Sequence, residues 1–193
     1  DVGSATLKLS EDGTYNLIIG AADMGTGCDT ILAQMVAECM DCNVDDVAVF
    51  GADTDVSPYD SGSYASSTTY ITGKAVEKAC IDLKKRICSI AAGMLDCDED
   101  AVVFESDCVR QVDSNRTVDL ADIAYKAQVF NTLPAEATAT HSSPVSPQPY
   151  MVGMVEIELD KLTGKVDIID YMAVVGCRQA EYNTCLAVLK LLL

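Results

Sequence analysis

The 193-residue chain is 49% hydrophobic and 22% charged, the balance of a globular protein with one sizeable core or two small ones. Its 13 Lys+Arg against 30 Asp+Glu leave a formal net charge of −17. That charge argues against wrapping a nucleic acid or an anionic membrane surface, which needs a basic footprint, while a small phosphate held by backbone amides stays open.

In chain order, Ala5 to Leu9 and Tyr15 to Ile19 alternate in polarity around an Asp12-Gly13 pair and read as a β-hairpin. The second strand empties into Gly20-Ala21-Ala22-Asp23-Met24-Gly25-Thr26-Gly27-Cys28-Asp29-Thr30, and Ile31, Leu32, Met35, Val36 and Cys39 follow at helical spacing. This turn has no Gly-Lys-Ser/Thr ending for a nucleotide phosphate loop and no third glycine for a dinucleotide fingerprint. Alone it reads as a tight turn rather than a ligand site. Val47 to Phe50 reads as a short buried strand.

Asp53 to Ala75 is poor in bulky aliphatics and crowded with Ser, Thr, Gly and Tyr, and it runs directly into a helical pattern from about Thr68 to Met94. Hydroxyls and amides placed just before a helix N-terminus are the chemistry of an anion cradle, although a hydrophilic helix-capping loop would look the same. Lys74, Lys78, Lys84, Lys85 and Arg86 on that helix read as a solvated face. Ala101–Phe104 and Cys108–Val112 suggest another hairpin, and Thr117–Lys126 a short helix capped by Thr117. Residues 133–150 hold four of the five prolines and the only histidine, His141, so regular structure is not expected for much of that stretch. Met151–Leu159 and Lys165–Tyr171 read as two strands around a turn ending in Gly164.

The nine cysteines are an odd number spread through apparent helices, which points to a reducing compartment rather than a disulfide framework. Cys39-Met40-Asp41-Cys42 is a CxxC at the end of a helix, where the dipole does not lower a thiol pKa, and no second pair completes a four-ligand metal site. No basic region or apolar signal core opens the chain, and Leu186 to Leu193, broken by Lys190, is far short of the ~20 residues that span a bilayer. The expectation is a cytoplasmic fragment or subunit of something larger.

Three segments in order, Ala21–Glu38, Asp53–Val76 and Val155–Val175, resemble the molybdenum hydroxylases related to xanthine dehydrogenase. Within that family, Asp-Met-Gly-Thr-Gly-Cys-Asp-Thr and Pro-Tyr-Asp-Ser-Gly-Ser-Tyr-Ala-Ser-Ser look most like the large subunit of 4-hydroxybenzoyl-CoA reductase. The resemblance implies an α+β fold, mixed sheets with helices packed on one side, forming part of a molybdenum-cofactor-binding domain over residues 1–175. It implies a molybdopterin cofactor, often as the cytosine dinucleotide. Cofactor contacts would come from Gly25, Thr26, Gly27 and Cys28 in one loop and from Tyr64, Ala65, Ser66, Ser67 and Thr68 in the other. It also implies iron–sulfur clusters, and in some relatives FAD, on partner domains or subunits, and a small aromatic or N-heterocyclic substrate that is oxidised or reductively dehydroxylated.

The chain departs from the family at several points. Ser67 stands where relatives often carry Arg, no Gly-Glu-Pro-like motif supplies the catalytic glutamate, and residues 176–193 do not follow the family's Asp-x-Gly-x-x-Ile-Asn-Pro pattern. Those last residues are therefore expected to be an atypical tail, and the 193-residue chain alone is expected to show no turnover. The rival readings are a non-catalytic α+β scaffold that has lost the cofactor, and a thiol-based module on Cys39 and Cys42.

Overall fold

The structure is a computed structural model that describes residues 1–64, 67–129, 135–145, 150–178 and 184–191. It divides into two compact units, Asp1–Pro144 and Val145–Leu193.

The first unit is built on the expected hairpin. β1 (Val2–Leu9) and β2 (Tyr15–Ile19) pair antiparallel with Leu7 opposite Leu17. Alternation sends Ala5, Leu7, Leu9, Tyr15, Leu17 and Ile19 into the core, all essentially inaccessible; burial of each large side chain contributes about 1.5–3 kcal/mol. The outward face is polar, and Thr6 and Thr138 share a hydroxyl hydrogen bond of 2.7 Å there. From β2 the chain passes through α1 (Cys28–Met40) to β3 (Val47–Gly51), which pairs parallel with β2. The sheet order is β3-β2-β1-β7. The expected buried strand at Val47–Phe50 is thus an edge strand: Val47 is buried, while Ala48 and Phe50 are exposed.

The long helix α2 (Gly73–Leu95) lies on this sheet through Ala75, Val76, Ala79, Leu83, Ile87 and Ile90. Residues Thr68–Thr72, expected to begin that helix, instead form a π-helical turn, a wider winding that often accompanies functional sites. A small antiparallel sheet follows, β4 (Val102–Phe104), β5 (Cys108–Gln111) and β6 (Thr117–Asp119), and then α3 (Leu120–Val129). Thr117 therefore does not cap a helix. Its β-branched neighbour Val118 pairs with Val109, and the helix begins only at Leu120.

The irregular region expected across 133–150 contains β7 (Glu136–Ser142), paired antiparallel with β1 along its whole length. Ala135, Ala137 and Ala139 face the core and Thr138 and Thr140 face out. The alternation is real, but its inward residues are so small that it reads weakly as a strand. Residues 130–134 and 146–149 lie outside the described residues.

The second unit is a three-stranded antiparallel sheet, β10-β9-β8, of β8 (Tyr150–Leu159), β9 (Val166–Arg178) and β10 (Thr184–Leu191). The β8–β9 register sets Leu159 opposite Val166, Ile157 opposite Ile168 and Val155 opposite Tyr171. This makes one apolar face, whose valines, isoleucines and leucine are about half exposed. The architecture is α+β with mixed sheets, as expected. Among the described residues no helix is long and apolar enough to cross a membrane.

Candidate functional site

Parallel neighbours deliver their C-terminal loops to the same edge of a sheet, and that edge is where α/β units bind ligands. Here β2 and β3 both run toward one edge, and α1 starts there. The pairing of β1 with both β2 and β7 brings Val2 and Ser142 to the same edge. Two glycines let the loop bases close together. A Cβ on Gly20 would sit 2.4 Å from the Pro58 carbonyl oxygen and 2.7 Å from Asp60 Cβ. A Cβ on Gly51 would sit 3.2 Å from the Ala21 carbonyl oxygen and 3.4 Å from Asp29 Oδ1. The segments after β2 and β3 are therefore in van der Waals contact at their roots.

The first loop is organised by one carboxylate. Asp23 Oδ1 accepts N–H donations from Gly25 (2.8 Å), Thr26 (3.0 Å) and Gly27 (3.1 Å). These bonds, the one from Gly25 foremost, hold the Asp23 carboxyl below the usual aspartate range. Gly25 and Gly27 have φ of 96° and 72°, and a Cβ on either would meet nothing within 4 Å, so the tip is open. Gly27 caps α1 by conformation, without a side-chain bond. Cys28 turns inward: its side chain is 2% exposed, and burial, aided by the Asp29 carboxylate 3.5 Å from its sulfur, pushes the thiol up to about 11. What Cys28 offers the loop is backbone.

The second loop is fastened to the sheet. Val2 N–H donates to Ser61 Oγ (3.1 Å), and Ser61 N–H donates back to the Val2 carbonyl (3.0 Å). Asp60 Oδ1 accepts the Gly62 N–H at 2.8 Å, while its Oδ2 accepts the hydroxyl of the buried Thr72 at 2.9 Å. Thr72 is pressed against Gly3, where a Cβ would lie 2.6 Å from Thr72 Oγ1 and 3.0 Å from its backbone. The buried Ser67 hydroxyl donates to the Gly62 carbonyl at 3.1 Å, and Thr68 Oγ1 donates to Ser63 Oγ at 2.8 Å. Tyr64 is exposed. Ala65 and Ser66 lie outside the described residues.

The structure thus gathers the Gly25–Cys28 loop, the Ser61–Tyr64 turn and Ser67–Thr68 on one edge, each leading toward a helix. No Lys or Arg occurs from Ala21 to Asp29 or from Asp53 to Gly73, so within these two loop segments the donors are amides and hydroxyls. Such a set suits an anionic or hydrogen-bonding ligand that also needs close backbone approach at glycine. The sequence reading missed Asp23, Asp60 and Thr72 as the residues that shape the two loops. An Asp two residues before a glycine, Asp23-Met24-Gly25 and Asp60-Ser61-Gly62, is the signal that could have found the first two. His141, given no role from sequence, sits beside Lys78 Nζ (Nδ1 at 3.1 Å) and edge-on to Tyr70, and burial followed by the Lys78 charge lowers its pKa. Among the described residues no group of three or more His, Cys, Asp or Glu could hold a metal ion.

The model of the molybdopterin cofactor-binding domain family matches residues 1–180. A probable hypoxanthine oxidase, XdhD, of Escherichia coli (strain K12) is 32% identical over 181 residues, 92% of this chain and 18% of that protein. A putative xanthine dehydrogenase molybdenum-binding subunit, XdhA, of the same organism is 42% identical over 96 residues, 49% of this chain and 13% of that protein. In fold, the chain is similar to quinoline 2-oxidoreductase from Pseudomonas putida 86, with a TM-score of 0.76 at 22% identity over 91% of this chain and 23% of that one. The chain spans less than a quarter of the length of each of these proteins.

Proposed function

The chain belongs to the molybdopterin cofactor-binding domain family, and on that premise we propose that it supplies part of the cofactor site of a molybdenum hydroxylase large subunit. The observation that carries this reading is the meeting of two glycine- and hydroxyl-bearing loops, each at a helix start, on the C-terminal edge of β2 and β3. The amides of Gly25, Thr26, Gly27 and Cys28 and the segment Tyr64, Ala65, Ser66, Ser67 and Thr68 would hold the molybdopterin and its phosphate. Neutral donors and helix ends would do what a basic patch does elsewhere. When bound, the group supplies molybdenum redox chemistry at a small aromatic or N-heterocyclic substrate. The chain's own part is to bind, orient and exclude water.

The parent enzyme would pass electrons to iron–sulfur clusters, and in some cases FAD, on other domains or subunits, and would work in the cytoplasm. Residues 1–175 would form the partial cofactor domain, with 176–193 as an atypical tail. The 193-residue chain, which has no Gly-Glu-Pro-like segment, would bind part of the cofactor and turn nothing over.

A second reading, a scaffold that has lost the cofactor, is favoured by one observation. The Asp23 carboxylate already satisfies the amides that an anion would use. Co-expression with partner subunits, followed by molybdenum and pterin analysis of the purified complex, separates the two. Pterin present in the parent complex, and lost together with molybdenum on the double change Ser67→Ala and Thr68→Val, is the expected result. Unchanged content in that variant would remove the assigned contacts, and a complex free of pterin would leave the scaffold.

A further inference from the structure

At the edge of the first sheet, α2 is tied to β7 by two cations. Arg86 Nη1 donates to the Glu136 carbonyl at 2.7 Å, near the start of the strand. About two turns earlier on α2, Lys78 Nζ meets the strand's far end, 3.1 Å from His141 Nδ1 and 3.4 Å from the Thr140 carbonyl. Lys78 and His141 are both half-buried. Tyr70, in the π-helical turn, stands edge-on to the His141 ring at 6.5 Å, and its hydroxyl lies 3.4 Å from Ser143 Oγ. Helix, turn and strand therefore converge on one imidazole, and His141 is the single histidine of the chain.

The contact between Lys78 and His141 has a fixed direction. An ammonium has three donors and no acceptor, so Nδ1 presents its lone pair and the ring proton sits on Nε2. A second proton on the ring must go to Nδ1. It would turn the acceptor into a donor and leave two cations 3.1 Å apart. Among the described residues no carboxylate is ion-paired with Lys78, and Glu77 is held by Lys74 at 2.5 Å. Opposite His141 in the ladder stands Gly3, uncharged, and pressed against Gly3 is Thr72, the residue that leads into α2.

We propose that Lys78 and His141 form an acid-released latch, which holds α2 to the end of β7 at neutral pH and opens when His141 is protonated, loosening the Gly3–Thr72 packing that fixes the second loop. The device belongs to the chain itself and stands whether or not the edge holds a cofactor. Burial first, then the Lys78 and Lys74 charges, lowers the His141 pKa, and Glu77 opposes them. Because the folded value is lowered from 6.5, the latch contributes fully above that pH. Its contribution is lost as pH falls through the lower folded value.

The test follows this one imidazole by NMR in the folded 193-residue chain, without cofactor, between about pH 5 and 8. Ring nitrogen shifts should report the Nε2–H tautomer above the transition, and the midpoint should rise in Lys78→Met, which keeps the aliphatic stem and removes the charge. Protection of the Gly3, Thr72 and His141 amides against exchange, taken relative to Leu17 in the core, should fall several-fold through the wild-type midpoint. In His141→Asn, whose side-chain oxygen can accept from Lys78 but does not titrate, protection should stay high across the range. An Nδ1–H tautomer at neutral pH overturns the latch. So does a midpoint that Lys78→Met leaves in place, or amide protection that stays flat through the wild-type transition. The wild-type tautomer and amide titration decide the matter even if a variant fails to fold.

Discussion

Two loops frame the candidate site with the same local device and opposite surroundings. In each, an aspartate Oδ1 accepts the N–H of a glycine two residues on at 2.8 Å, and that glycine has a strongly positive φ, 96° at Gly25 and 106° at Gly62. Beyond that they diverge. Asp60 also ties down the buried Thr72 hydroxyl, and its loop is wedged against Gly3 and Gly20, so the turn is part of the core's edge. Asp23 holds only the amides of its own loop, and the glycines around it face open space. One loop is positioned by tertiary packing and the other by a single exposed carboxylate. A site built this way has one rigid wall and one wall able to adapt.

The contrast can be broken most severely at Gly20. In Gly20→Ala the new Cβ meets the backbone of Pro58 and Asp60, and a loss of about 2.5 kcal/mol is expected in urea unfolding. A loss no larger than that of an exposed-site control would mean the loop is not wedged. Thr72→Val keeps the volume but leaves Asp60 Oδ2 without its donor; about 1.5 kcal/mol should be lost, with the Gly62 amide exchanging faster. In the open loop, Gly27→Ala introduces no clash and costs only left-handed strain, about 1 kcal/mol in global stability. A cost exceeding that of Gly20→Ala would reverse the assignment of rigid and adaptable walls.

Asp23→Asn should have the smallest effect on stability and the clearest effect on pH response. Because the folded pKa of Asp23 is lowered, its contribution is present above the unfolded aspartate value of about 3.9. It is lost as pH falls through the lower folded value. The Gly25 and Thr26 amide resonances should follow that acid transition in the wild-type chain and stay flat in Asp23→Asn. Wild-type resonances titrating like a free aspartate would show that the three amide bonds do not form in solution.

Much of the fold is legible in the sequence because its signals are local and strong. Asp12-Gly13 between alternating runs gives the β1–β2 hairpin, and the apolar face from Val76 to Ile90 gives α2. The misses have physical causes. β7 buries alanines, which alternate with threonines too weakly to register against flanking prolines, and only the register with β1 reveals it. Val47–Phe50 looks buried because it is apolar, but an edge position leaves Phe50 about half exposed. Thr68–Thr72 has no feature that sets a π turn apart from an α-helical one. At the site, Gly25, Thr26, Gly27, Ser67 and Thr68 could be picked out as loop residues near helix starts. That Cys28 points its thiol inward could not, since helical spacing does not say which face the first turn buries.

By itself the sequence determined the β1–β2 hairpin, the two long helices, the acidic balance and the two polar loops, because composition, alternation and glycine chemistry act over a few residues. Only the tertiary structure decided that these loops share an edge. The parallel pairing of β2 with β3 and the close approaches at Gly20, Gly51 and Gly3 join residues far apart in the chain.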